Sequence, residues 1–346
     1  MDAKGTAFQS IPLVDLAPLD RELEAADTRE RAQLVRAVRA AASEVGFLYV
    51  QNHGVDPRRI RDIEQAARDF FALPTAAKQA CAIQRSGNHR GYVAPGEEVF
   101  YGQTQDTKEA FDLSRELPAA DYGAAQRFLG PNQWPEALPG FRAAVEAYYE
   151  EVFALGRRLL GVFALALGVP PERFLRHVRT PPSQLRLLHY PARPELPGAS
   201  GIGAHTDYEC FTLLHATQPG LEVMNGHGHW VKAPPLPGAF VVNIGDLLEV
   251  WSNGQFLSTS HRVAAVSEQR YAFPLFFNVD YATLVEPLPE LCQAGARYAG
   301  LIAGEHLLAQ TVQTFRYLRE QAERGELALP AGARELSSFG RERAQR

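Results

Sequence analysis

Ile202-Gly203-Ala204-His205-Thr206-Asp207-Tyr208 is the stretch from which the rest of this chain is read. Residues two apart on a strand point to the same side of a sheet, so an extended 202–207 aims the His205 imidazole and the Asp207 carboxylate at one spot. A second imidazole, His261 in Ser260-His261-Arg262-Val263, comes much later in the chain, and only a fold can bring it back. Two imidazoles and one carboxylate with coordination positions left open form a set suited to non-haem Fe(II). Zinc is the competitor, but a structural zinc site closes its tetrahedron with a fourth ligand, usually Cys. No Cys flanks His261, and Cys210 is odd-numbered from Asp207, on the other face of a continuing strand.

Working outward, short apolar runs alternate with Gly, Pro and Asn turns from Ser183 onward. They fall at 184–190, 202–206, 210–216, 220–224, 229–232, 239–243, 247–251, 261–266 and 271–278. Strands at that spacing predict a β-sandwich or barrel. Upstream the pattern is mainly helical. Leu34, Val35, Val38, Ala41, Ala42 and Val45 recur at helical spacing and Gly46 ends the run. Further helices are expected at 56–72, after Pro74, at 139–167 and at 171–178, with short strands at 11–16 and 47–50. The Gly-rich and polar 86–105 reads as a long loop. Helices return at 299–324. The expected architecture is a mainly β core wrapped by helices from both ends. Its divisions are an N-terminal region (1–180), a core (181–285) and a C-terminal segment (286–346), forming one compact unit.

Three polar features read as local structure. His53 stands before a turn glycine, where an imidazole satisfies nearby backbone. Gly226-His227-Gly228-His229 lies between two strands as a hairpin turn. Asn243-Ile244-Gly245-Asp246 reads as a structural turn.

The chain has 346 residues, 46% apolar and 22% charged, with a net charge of −5 that provides no electrostatic footprint for nucleic acid. Cys81, Cys210 and Cys292 are far apart, which fits a reducing compartment better than a disulfide framework. Met1 to Phe8 lacks a signal peptide's apolar core, and Leu159–Val169 is too short to span a bilayer. A cytoplasmic protein with no membrane or nucleic-acid partner and a small-molecule substrate is expected; nothing in the pattern sets an oligomeric state.

Arg270 heads the otherwise apolar Tyr271-Ala272-Phe273-Pro274-Leu275-Phe276-Phe277, where a charge needs a reason. A dicarboxylate bound to the metal at one end and to this forked guanidinium at the other would supply it. Candidates for a substrate wall, chosen by their place near loops or the barrel mouth, are Tyr92, Glu97, Tyr101, Phe111, Phe277 and Asn278.

The chain resembles the isopenicillin N synthase-like branch of Fe(II)/2-oxoglutarate-dependent oxygenases. The resemblance is carried by Ile11–Leu16, Gly46–Val55, Leu188–Pro191, Ile202–Tyr208, Pro219–Val223, Val242–Asp246, Ser252–Gly254, His261–Val263 and Arg270–Ala272, in the family's order. It implies a double-stranded β-helix (jelly roll) core. It also implies His205, Asp207 and His261 as iron ligands, Arg270 on the distal carboxylate of 2-oxoglutarate, and Tyr190 bonded to the same co-substrate. One position departs: the family has Arg-x-Ser where this chain has Ala272, a hydroxyl worth on the order of 1 kcal/mol. The bacterial ethylene-forming enzyme is similar in that alanine and around Gly91–Val99. The implied activity uses O2 and converts 2-oxoglutarate to succinate and CO2 while a small molecule, such as one of specialised metabolism, is hydroxylated, desaturated or cyclised. Two alternatives are an iron oxidase needing no 2-oxoglutarate, separable by succinate formation, and a non-catalytic jelly-roll binding protein. A zinc hydrolase lacks a general base beside the three ligands.

Overall fold

The computed structural model describes residues 7–19, 28–98, 108–118, 127–192, 200–264 and 266–330. In chain order the first half gives β1 (Leu13–Asp15), α1 (Thr28–Glu44), β2 (Phe47–Gln51), α2 (Pro57–Phe71), α3 (Thr75–Ala80), β3 (Gly91–Val93), β4 (Glu109–Ser114), α4 (Phe141–Ala166) and α5 (Glu172–Leu175). The core follows as β5 (Gln184–Tyr190), β6 (Ser200–His205), β7 (Phe211–Ala216), β8 (Leu221–Met224), β9 (Trp230–Lys232), β10 (Ala239–Ile244), α6 (Asp246–Trp251), β11 (His261–Ala264) and β12 (Arg270–Phe277). The chain closes with β13 (Leu284–Val285), β14 (Leu301–Ile302), α7 (Ala303–Thr314) and α8 (Arg316–Glu323).

Two sheets face each other as a jelly roll. The major sheet has the order β1-β2-β10-β7-β12-β5-β4-β3, and the minor sheet β6-β11-β8-β9. Four of the major sheet's eight strands come from before residue 181, so the sheet is not confined to 181–285. The loop expected at 86–105 contains β3, and β4 extends the sheet beside it.

Parity sorts the major sheet's side chains. The register aligns Asn243 with Thr212, Thr212 with Phe276, and Phe276 with Gln184; it likewise aligns Ala272 with Leu188 and Arg270 with Tyr190. These side chains look toward the minor sheet. Phe211, Leu213, Leu187, Phe111, Phe273, Leu275 and Phe277 look the other way, onto α2 and α4, and belong to the largest apolar cluster. The packing there is tight: a Cβ on Gly156 of α4 would lie 2.3 Å from the Phe277 ring. No helix among the described residues is long and apolar enough to cross a membrane.

One expected strand, 247–251, is a helix. Gly245 is extended and starts it, the Glu249 N–H donates to Gly245 O (3.2 Å), and every residue from Asp246 to Trp251 is buried. Six residues are too few for a period to be read, and the two polar ones, Asp246 and Glu249, are buried like the rest.

Candidate metal centre

His205 ends β6, His261 opens β11, and the two are partners in the ladder. Their Nε2 atoms lie 3.7 and 3.6 Å from Asp207 Oδ1. One ligand atom from each of the three residues falls within 4.8 Å of the others. No other such group of three His, Cys, Asp or Glu side chains forms among the described residues.

Hydrogen bonding prepares each ligand. His205 Nδ1 is 2.8 Å from Gly203 O, and His261 Nδ1 is 3.2 Å from Thr259 O. A carbonyl oxygen only accepts, so Nδ1 carries a proton in both rings and Nε2 is the nitrogen left for a metal. Asp207 Oδ2 accepts from Thr212 Oγ1 at 2.5 Å and from Asn243 Nδ2 at 2.6 Å. One carboxylate oxygen is thus tied to the major sheet and the other turned toward the imidazoles. Burial and the neighbouring His261 push His205 down to about 4, so it is neutral at neutral pH. Burial works against the Asp207 carboxylate, but His261, His205 and the bonds from Asn243 and Thr212 outweigh it and keep its pKa below the usual value. A neutral His205 imidazole and an ionised Asp207 carboxylate suit a divalent metal, whose ligands must be deprotonated. The donor set fits Fe(II).

Arg270 and Tyr190 are partners across β12 and β5, with the guanidinium 4.7 Å from the tyrosine ring centroid. Arg270 is only 1% exposed; its Nε donates to Gln218 O at 3.0 Å, and Nη1 has no hydrogen-bond partner. A Cβ on Gly220 would lie 3.4 Å from both Arg270 Cδ and Val263 Cγ1, and one on Gly201 would lie 3.0 Å from the Tyr190 ring. Two glycines therefore give these side chains their room two residues beyond His261. A buried, unpaired guanidinium N–H fits an anionic co-substrate. Ala272 sits beside them in the apolar cluster with Leu188 and Ile202, and supplies no hydroxyl.

A cavity opens next to the His-Asp-His group, walled by Leu188, Ile202, Phe276, Leu307 and Phe315 with several polar side chains. None of the described substrate candidates lines it. Phe111 packs on Phe70 and Phe141, and Phe277 on Phe153 and Phe211, all on the helix-covered face. Tyr92 shares that face, its hydroxyl donating to Glu109 at 2.7 Å. Parity is the reason: the neighbours Asp112 and Phe276 point inward instead. Glu97 accepts the Tyr317 N–H at 2.9 Å and anchors α8, while adjacent Glu98 lines the cavity. Asn278 lies past β12 and accepts the Val279 N–H at 2.8 Å. Tyr101 falls outside the described residues.

The local readings fare differently. His53 Nδ1 accepts the Val55 N–H at 3.1 Å, and Asn225 N–H to His229 O at 2.8 Å closes the hairpin around the exposed His227 and His229. Asn243, in contrast, is the Asp207 positioner. An amide in the apolar run 239–244 was the available signal.

The chain belongs to the 2OG-Fe(II) oxygenase superfamily. That family's profile matches residues 181–279, and a second, described as the non-haem dioxygenase in morphine synthesis N-terminal, matches 11–137. Among its relatives is homoarginine-6-hydroxylase 2-ODD-233 of Oryza sativa, 33% identical over 90% of this chain and 99% of that protein. The 2-oxoglutarate-Fe(II) type oxidoreductase hxnY of Emericella nidulans is 32% identical over 94% and 96% of the two chains. Among solved structures, a full-length Neurospora crassa protein crystallised with alpha-KG and thymine superposes with a TM-score of 0.76 at 26% identity, covering 93% of this chain and all of that one. The chain is an Fe(II)- and 2-oxoglutarate-dependent dioxygenase.

Proposed function

We propose that His205, Asp207 and His261 hold the Fe(II), and that Arg270 and Tyr190 hold the far carboxylate of 2-oxoglutarate. The observation that carries this reading is the division of labour at Asp207: Oδ2 is saturated by Thr212 and Asn243 while Oδ1 faces two Nε2 atoms. When bound, iron and co-substrate supply the reaction R–H + O2 + 2-oxoglutarate → R–OH + succinate + CO2. The protein's part is positional. The two backbone-bonded imidazoles and Asp207 offer three ligands on one side, and Arg270 orients the keto acid. α7 walls the cavity with Leu307, Thr311 and Thr314. Relatives named for homoarginine hydroxylation and a neighbour crystallised with thymine support hydroxylation of a small polar molecule as the activity of this cavity.

The test is anaerobic titration with Fe(II) and 2-oxoglutarate, followed by visible absorption and metal content. Wild type is expected to develop a broad visible band, and His205→Ala and Asp207→Ala are expected to lose both iron and band. Full iron content with undiminished succinate formation in either variant would overturn the assignment.

A further inference from the structure

The inner face of the major sheet carries more charge than the metal centre uses. Arg186, Glu98, Asp112 and Lys108 are each more than nine-tenths buried. Arg186 Nε donates to Asp112 Oδ1 at 2.7 Å, its Nη1 lies 2.7 Å from Glu98 Oε1, and the Lys108 ammonium also pairs with Glu98. The guanidinium carbon lies 5.7 Å from the Phe315 ring centroid. Taking four charges out of water is costly even when they are paired, and apolar residues of the same volume often serve stability as well. The fold alone does not call for this cluster.

The pairing leaves a donor and an acceptor over, Arg186 Nη2 and Asp112 Oδ2. Arg186 Nη2 is sealed from solvent and has no hydrogen-bond partner, although the side chain lines the cavity beside His205 and Asp207. A buried donor without a partner calls for an explanation, and beside a cavity a ligand that accepts from it is one. His89 lines the same cavity with its backbone at φ 58°, a strained conformation for a residue with a side chain. Its Nδ1 is 2.6 Å from the Tyr317 hydroxyl, so Nε2 is the polar atom the ring has left to offer.

We propose that Arg186 is a substrate-binding residue whose Nη2 donates to an oxygen acceptor on the organic substrate, a carbonyl or a carboxylate, and holds it beside the metal. This rests on the metal and co-substrate assignment above. Arg186 is distinct from the co-substrate's anchor: Tyr190, the partner of Arg270, is four residues further along β5, roughly 13 Å at strand spacing. Glu98 and Asp112 keep the guanidinium oriented and balance it, with Lys108, to zero net charge. A neutral carbonyl can therefore dock without adding charge, whereas a carboxylate adds one.

The experiment uses the full chain loaded anaerobically with Fe(II) and 2-oxoglutarate. Thymine serves as the carbonyl probe and homoarginine as the carboxylate probe, with dissociation constants read by calorimetry. Two variants are compared. Arg186→Lys keeps the charge but loses the fork, and the double variant Arg186→Met/Asp112→Asn removes one charge of each sign, so that neither leaves a net buried charge. Binding of at least one probe to wild type, weakened about 10- to 100-fold in the variants with 2-oxoglutarate affinity unchanged, supports the proposal; which probe responds identifies the acceptor. The proposal is overturned if neither probe saturates wild type at millimolar concentration. It also fails if the variants bind the probes as wild type does, or if they lose 2-oxoglutarate instead. Absence of the visible band before any probe is added would overturn the metal-site reading itself.

Discussion

Replacing Thr212 by Val and Asn243 by Leu, singly and together, strips Asp207 Oδ2 of donors that stand 2.5 and 2.6 Å away while leaving all three metal ligands in place. Hydrogen bonds to a charged acceptor contribute about 1.5–3 kcal/mol each, and outer partners of metal ligands typically change affinity by about 10- to 100-fold. Each single variant should therefore weaken Fe(II) binding by about tenfold, near 1.4 kcal/mol. The double variant should lose more than the product of the two. Both donors hold the same oxygen, so the first removal leaves Oδ2 tethered by the second; only the pair frees the carboxylate to rotate. That is a coupling a double-mutant cycle measures directly. The assay is competitive anaerobic metal titration, with melting of the metal-free protein as the control for folding. If all three variants melt like wild type and keep Fe(II) affinity within about twofold, Asp207 is not oriented for the metal by these two donors.

Arg270→Met should raise the dissociation constant for 2-oxoglutarate tenfold or more, because the lost partner is a charged donor in a buried site; an unchanged titration would show that the co-substrate binds elsewhere. Phe277→Ala should cost about 3–5 kcal/mol in urea unfolding and leave substrate KM alone. Phe276→Ala, on the cavity side, should move KM instead, and the reverse pattern would refute the parity assignment. Burial opposes ionisation of Glu98, but Arg186 and Lys108 overcome it and hold the carboxyl at about 2. A depressed folded-state pKa contributes stability that is present above the unfolded value of about 4.5 and lost as pH falls toward 2. That amounts to about 3 kcal/mol here. Wild type should therefore lose more stability than Glu98→Gln between about pH 6 and pH 3, and parallel melting curves would contradict this.

What the sequence made legible is what carries its geometry locally. His205 and Asp207 are two residues apart, so a strand aligns them without help from the fold, and Arg270 stands out as a charge at the head of an apolar run. Interactions set by register between distant strands were not legible in the same way. Asn243 reaches Asp207 only because β10 lies beside β7. Arg186 meets Asp112 only because β5 lies beside β4, and the alternation of β4 gave no hint that it would join the sheet. The choice of substrate-wall residues shows the physical limit most sharply. Phe277 for Phe276 and Phe111 for Asp112 are displacements by one residue on a strand, and Glu97 for Glu98 is a displacement by one beside a turn. A displacement of one on a strand exchanges the two faces of the sheet, and here one face is a helix-packed core and the other a reaction chamber. Near-neighbours in sequence therefore carry opposite roles, and the sorting between them is done by hydrogen-bond register. For this reason the paired variants Phe276→Ala and Phe277→Ala test the assignment of the site more stringently than either would alone.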